Sequence, residues 1–221
     1  MLSQDYLSKD ESYYLHAREE MLNYIPTGTK YLLDVGCSNG NFGRLVKDSL
    51  GAFVCGVEPD TKSAKNASKY LDHVINGFFD ENINFGNQKF DCIVFNDVLE
   101  HLIDPFKAIS FCKSLLTEGG VLVCSIPNIR YFEAITHLLK DKDFQYVEMG
   151  IFDKTHLRFF TKKSITRMFV EEGYKIKTIE GINSIKKWNK RGYLRFKILN
   201  KIFFNNISDM EFLQYAVVAH L

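Results

Sequence analysis

Three groups of residues in this 221-residue chain have the types and spacing to do chemistry. The first is the run Leu32-Leu33-Asp34-Val35-Gly36-Cys37-Ser38-Asn39-Gly40-Asn41-Phe42-Gly43. Glycines between a strand and a helix adopt positive φ and let the backbone come close to a ligand. The free amides at the start of the helix favour anionic groups. Gly36, Gly40 and Gly43 give the spacing GxxxGxxG, which is neither the GxGxxG of a dinucleotide clasp nor the GK[ST] of a P-loop. Glu58 closes AFVCGVE, where a carboxylate at the end of the second strand accepts hydrogen bonds from ribose hydroxyls.

The second group is Asn96-Asp97-Val98-Leu99-Glu100-His101, directly after the apolar run FDCIVF. Histidine titrates near neutrality, so His101 is the candidate general base; the alternative is that Glu100 and His101 cap the strand–helix link. Asp97, Glu100 and His101 also form an acid-x-x-acid-His pattern whose oxygen and imidazole ligands suit Mg²⁺ or Mn²⁺. The third group is Asp153-x-x-His156-x-Arg158, in a stretch read as a loop. There His156 can orient a hydroxyl. Arg158 can meet a phosphate or carboxylate, or brace against Asp153. Tyr13, Tyr14 and Arg18 from the N-terminal segment can close the same pocket.

The elements that must hold these groups follow from the hydrophobic pattern. Short, continuous apolar runs (YLLDV, AFVCGV, HVI, FDCIVFN, VLVCSI) alternate with helical stretches up to about residue 126. That alternation is the mark of a parallel sheet covered on both faces, and predicts a doubly wound α/β fold. Asp60 and Asp104-Pro105 read as helix starts. Beyond residue 126 helices are expected at Tyr131–Leu139, Lys162–Glu172 and Ile185–Ile202, and strands at Tyr174–Glu180 and Phe212–His220. The whole chain reads as one domain, with an N-terminal helical flap (1–28) and additions at about 129–161 and 183–206.

At this point the chain resembles a family. LDVGCSNGNFG, VEPD, FDCIVFNDVLEHLIDP and LLTEGGVLVCSIPN are similar, in order and spacing, to the successive motifs of class I S-adenosylmethionine-dependent methyltransferases. The later DKTHLRFFT and EEGY resemble a bacterial and archaeal branch of glycan-cluster and ubiquinone-type small-molecule methyltransferases. The resemblance implies a Rossmann-like seven-stranded sheet of order 3-2-1-4-5-7-6 with the last strand, Phe212–His220, antiparallel. It implies S-adenosylmethionine as cofactor and S-adenosylhomocysteine as product. Asp34, Gly36, Cys37 and Gly40 match the methionine-binding turn, Glu58 the ribose-binding acid and Asn96 the wall of the methionine pocket. Where the family has Gly-Asp near the adenine, this chain has Gly77-Phe78-Phe79-Asp80, so adenine is left to stacking on Phe78 or Phe79, or to Asp80 displaced by two places.

Composition narrows the rest. With 28 basic and 27 acidic residues the chain is not a dedicated nucleic-acid binder, and it lacks an NPPY-type signature. Five cysteines without a CxxC pair, three of them inside apolar strands, read as reduced buried thiols and predict a cytoplasmic protein. The N-terminus has no signal-peptide profile. One segment is uneven: between Ile185 and Ile207 there are seven Lys or Arg and no acid, interleaved with aromatic and aliphatic residues. It reads as a solvated face, or as peripheral contact with an anionic membrane or an anionic substrate. The sum is a methyltransferase acting on an oxygen of a small-molecule or sugar-containing acceptor. The alternatives are an NAD(P)-dependent oxidoreductase and a non-catalytic cofactor-binding subunit.

Overall fold

The computed structural model describes residues 18–221; Tyr13 and Tyr14 lie outside the described residues. After the short α1 (Glu19–Leu22), strands and helices alternate: β1 (Tyr31–Val35), α2 (Asn41–Leu50), β2 (Phe53–Glu58), α3 (Thr61–Ala67), β3 (His73–Asn76), β4 (Phe90–Asn96), α4 (Pro105–Leu115) and β5 (Leu116–Pro127). Then follow α5 (Phe132–Asp141), α6 (Lys162–Glu171), β6 (Lys175–Ser184), α7 (Lys190–Ile202) and β7 (Phe212–His220). The sheet has seven strands in the order β3-β2-β1-β4-β5-β7-β6. β1 to β5 are parallel, and β7 runs antiparallel to both β5 and β6. This is the Rossmann-like, doubly wound arrangement that the motifs implied.

The central strands are apolar on both sides because each side meets helices. Leu33, Val35, Ile93, Phe95 and Cys124 enter one core with residues of α4 and α6. Leu32, Cys92, Val94 and Val123 enter the other with Met21 of α1 and Phe42 and Val46 of α2. Each buried side chain of this size contributes about 1.5–3 kcal/mol. The helix starts work as their sequences say: Asp60 accepts from the Ser63 amide at 2.8 Å and Asp104 from the Lys107 amide at 3.1 Å. Thr161 and Ser164 form a reciprocal capping box at the head of α6.

Three boundaries differ from the sequence expectation. β5 starts at Leu116 rather than at Val121, because the stretch around Gly119 and Gly120 is a bulge in the β4–β5 ladder, not a loop. β6 runs on to Ser184; Gly181 lets it pass Phe212, whose ring a Cβ there would meet at 2.2 Å. The helix expected over Ile185–Ile202 is divided. A 3₁₀ turn (Ile185–Lys187) comes first, and α7 starts afresh where the Asn189 side chain accepts from the Gly192 amide at 2.7 Å. A third, smaller core, containing Tyr131, Phe132, Ile151, Phe152, Ile185 and Phe196, binds α5, the loop after it and α7 into a lobe.

Candidate functional site

The glycine turn sits at the carboxyl end of β1, between β2 and β4. Gly36 (φ 70) and Gly40 (φ 81) take left-handed backbone. A Cβ on Gly36 would lie 2.6 Å from Val98 Cγ2, and one on Gly40 3.0 Å from the Ala67 backbone. The Gly36 and Cys37 amides donate to Val57 O at 2.8 and 3.1 Å, which fastens the turn to β2. Cys37 is buried in the core below the turn, its sulfur 2.6 Å from where a Cβ on Gly56 would stand. Its side chain therefore belongs to the core, and its carbonyl accepts from the Gly40 amide at 2.8 Å within the turn.

Glu58 is 1% exposed and ties two segments together: Oε2 accepts from the Ser38 amide and Oε1 from the Asp60 amide, both at 2.9 Å. Burial nevertheless pushes its carboxyl up to about 7, against those two hydrogen bonds. Asp34, on β1, is also pushed up to about 7 by burial and then by the nearby charge of Glu58, while the Gly43 amide pulls the other way. Asp34 Oδ2, Ser38 Oγ and both polar side-chain atoms of Asn96 are buried and have no hydrogen-bond partner. Buried polar atoms are normally satisfied. Two buried carboxyls and this row of unsatisfied atoms along the ends of β1, β2 and β4 suit a ligand that carries positive charge and hydroxyl groups.

Next to Glu58, the Gly77 amide donates to Glu58 O at 3.0 Å and brings residues 77–80 to the same rim. The Phe79 ring turns inward, packing at 5.6 Å edge-on to Phe95 and at 5.3 Å from Phe111. Phe78 is 55% exposed. Asp80 Oδ1 accepts from the Asn82 amide at 2.8 Å, so one of its oxygens holds its own turn.

The second cluster begins at Asp97, whose backbone is left-handed (φ 55). That conformation sends its carboxylate toward the far strands: Oδ1 accepts from Gln214 Nε2 at 2.8 Å and Ser125 Oγ at 3.2 Å, and Oδ2 pairs with the Arg18 guanidinium. Asp97 is thus turned away from Glu100 and His101, with which the sequence had grouped it. Glu100 and His101 stand on a buried 3₁₀ turn, Leu99–His101, and meet His156 instead. Ligand atoms of Glu100, His101 and His156 all lie within 4.8 Å of one another. The two imidazole rings are 4.7 Å apart, and His156 Nε2 is 3.8 Å from Glu100 Oε1.

The loop that carries His156 is stitched to that turn. The Leu157 and Arg158 amides both donate to Glu100 O, at 2.9 and 3.0 Å. Thr155 Oγ1 donates to Asp153 Oδ1 at 2.6 Å, and His101 Nδ1 lies 3.1 Å from that hydroxyl and 3.2 Å from Thr155 O. Since the hydroxyl proton is committed to Asp153, both atoms facing Nδ1 are acceptors. The His101 ring is thereby fixed through Nδ1. His156 Nδ1 faces Ile151 O at 3.0 Å, which fixes that ring as well. Arg158 neither braces Asp153 nor enters the cluster; its guanidinium donates to Ile103 O at 3.1 and 2.5 Å. Thr155, Ser125 and Gln214 were not singled out from sequence. Only Thr155 left a signal, an Asp-x-Thr turn pattern immediately before His156.

A family model described as "Methyltransferase domain" matches residues 6–179 of the chain. Among curated proteins, the chain is similar to "Ubiquinone biosynthesis O-methyltransferase" of Actinobacillus pleuropneumoniae serotype 5b, 32% identical over 109 residues, 45% of this chain and 46% of that protein. It is also similar to the proteins of that description from Glaesserella parasuis (27% over 164 residues; 69% and 68% of the two chains) and Coxiella burnetii (28% over 162; 70% and 67%). The chain thus spans about half the length of the first relative and about two thirds of the others. Of solved structures, a SAM-dependent methyltransferase from Archaeoglobus fulgidus superposes with TM-score 0.69 at 19% identity, over 95% of this chain and 96% of that one. The magnesium protoporphyrin IX methyltransferase of Synechocystis PCC 6803, with bound SAH, gives 0.62 at 12%, over 91% and 80%. At these identities the structural likeness is one of fold.

Proposed function

The chain belongs to the S-adenosylmethionine-dependent methyltransferases, and on that footing we propose that it methylates an oxygen of a small-molecule or sugar-containing acceptor. As a methyltransferase it is an enzyme, so the oxidoreductase and non-catalytic alternatives are set aside. S-Adenosylmethionine, when bound, supplies a methyl group activated by a positively charged sulfur. In our reading Asp34, the backbone of Gly36, Cys37 and Gly40, and Asn96 hold its methionine part, and Glu58 holds the ribose hydroxyls. Phe79 and Asp80 form the adenine end. The fit rests on the buried, unsatisfied atoms of Asp34, Ser38 and Asn96 and on a glycine cradle that a Cβ would fill.

One observation carries the oxygen-acceptor reading: His101 is buried with its Nδ1 against Thr155 O and Oγ1, so the ring is fixed beside Glu100 and His156. Such an imidazole can take the proton of an acceptor hydroxyl. His156, fixed by Ile151 O, orients the same group, and Arg158 and Tyr14 are assigned to the acceptor's side. The similarity to ubiquinone biosynthesis O-methyltransferases supports the choice of oxygen. We assign the whole chain to one catalytic domain, with 1–28, 129–161 and 183–206 as additions to it, and place it in the cytoplasm. The five buried free cysteines support that placement. A second reading is favoured by the 4.8 Å trio of Glu100, His101 and His156: one carboxylate and two imidazoles are a ligand set for a divalent cation, and with Asp97 turned away they suit Mn²⁺ or another first-row ion better than Mg²⁺.

Transfer of labelled methyl groups to nucleotide sugars, quinone precursors and lipid-linked glycans tests the main reading; labelling of a hydroxyl in one class is expected. Saturable S-adenosylhomocysteine binding with no hydroxyl labelled in any class would overturn the oxygen-acceptor assignment. Exhaustive chelation followed by metal restoration decides between the two readings of the histidines. Activity that survives chelation removes the cation.

A further inference from the structure

α7 shows an unusual division of its surface. Toward the protein it fully buries only Gly192 and Phe196, the latter against Phe132 at 5.6 Å. On the opposite side Leu194, Ile198 and Ile202 recur every four residues, a spacing that lines one helix face. They are 61%, 55% and 62% exposed. Just past the end of the helix, Phe203 is 54% and Phe204 87% exposed. Arg191, Arg195, Lys197 and Lys201 are exposed on the same helix, and no acid occurs anywhere from Ile185 to Ile207. A merely solvated face would not carry three large aliphatics in register with two phenylalanines beyond them.

We propose that this face of α7, with Phe203 and Phe204, docks on an anionic lipid bilayer. An interfacial helix of this kind lays its apolar side at the headgroup–acyl boundary while Lys and Arg reach back to anionic headgroups. No helix among the described residues is long and apolar enough to cross a membrane, so the contact is peripheral. Other occupants fit less well. A second copy related by a two-fold axis would set the same unneutralised cations against each other. A nucleic acid would use the cations but not an aliphatic stripe. The inference goes beyond the proposed methyl transfer and does not require it.

The test is co-sedimentation of the full chain with phosphatidylcholine vesicles, with and without phosphatidylglycerol, at low and high salt. Two variants accompany it: Arg191→Gln/Arg195→Gln/Lys197→Gln and Ile198→Ser/Ile202→Ser/Phe204→Ser, all at exposed positions. Circular dichroism and S-adenosylhomocysteine titration verify that each is folded and keeps its cofactor site. The expected result is binding about tenfold or more tighter to anionic vesicles, weakened by salt and reduced about tenfold in each variant. Absence of binding by the folded wild type would overturn the proposal. So would binding that the apolar variant leaves intact and that heparin or duplex RNA abolishes, since a polyanion is then the partner. A lipid-free dimer dissolved by the apolar substitutions would assign the face to a second copy. S-Adenosylhomocysteine binding, measured separately, keeps failure here distinct from failure of the methyltransferase reading.

Discussion

Asp34 and Glu58 are two carboxyls that burial has pushed up to about 7, close to one another and at the same rim. Each binds its proton more tightly in the folded chain than in the unfolded one. Stability from this source is therefore present at low pH and declines as pH rises from about 4 toward 7. Ligand binding has the opposite sense, because a carboxylate accepts hydrogen bonds from hydroxyls that a protonated acid does not. S-Adenosylhomocysteine affinity is expected to fall by up to about tenfold per pH unit below 7. Calorimetric titration between weakly acid and weakly alkaline buffers measures this, and Glu58→Gln should weaken binding and flatten the profile. Asp34→Asn should stabilise the ligand-free protein at alkaline pH by about 1–3 kcal/mol in denaturant melts while weakening the ligand. On the acceptor side, His101→Ala is expected to lower kcat by about 10²–10⁴. Thr155→Val, which removes the hydroxyl beside Nδ1 but leaves the carbonyl, should cost less. Both should bind S-adenosylhomocysteine as the wild type does, and a rate unchanged by both would remove His101 from the reaction.

Among the elements, the turn after β1 and the bulge in β5 offer a matched pair of glycines. Gly36 and Gly119 have nearly the same φ, 70 and 76, but a Cβ on Gly36 strikes Val98 while one on Gly119 meets nothing within 4 Å. Alanine at either site carries the left-handed penalty of about 1–2 kcal/mol. Only Gly36→Ala should also abolish S-adenosylhomocysteine binding, and equal binding loss in both variants would refute a local role for the cradle. The strand–helix alternation through β5 was readable because continuous apolar runs are what two-sided burial selects. The extra length of β6 was not. Its sequence KIKTIEGINS has its only large apolar residues, Ile176, Ile179 and Ile182, at every third position, which is not the alternation of a strand, and its pairing with β7, interrupted by a register shift between Ile176 and Thr178, is a long-range fact. The break before α7 was equally hidden, since it rests on one side-chain bond, Asn189 to the Gly192 amide.

For the molecule as a whole, the five cysteines are all free and buried, in both of the large cores. Burial raises all five thiols, Cys55 up to about 12. A thiol reagent is therefore expected to label none of them at neutral pH in the native protein and all five in denaturant. Rapid labelling of any one without denaturant would contradict the packing. Sequence placed three of them, Cys55, Cys92 and Cys124, in the interior from their apolar neighbours alone.

The sequence by itself determined the sheet's alternation, the glycine turn, the acid twenty-two residues beyond Gly36 and the family these belong to. The first three rest on local chemistry, namely positive φ, burial period and spacing along one chain; the family rests on the resemblance of successive motifs. Tertiary structure alone decided the partners of the second cluster. The left-handed backbone of Asp97 turns its carboxylate to Gln214 and Ser125, while His101 finds Thr155 across a separation of 54 residues and His156 beside it. Spacing cannot report such contacts, because the direction of a side chain depends on its backbone dihedrals and its neighbour on the path of a distant loop. The outward stripe of α7 belongs to the same class: the sequence showed that the helix is basic and apolar, and only its packing against Phe132 showed which apolar residues are left outside.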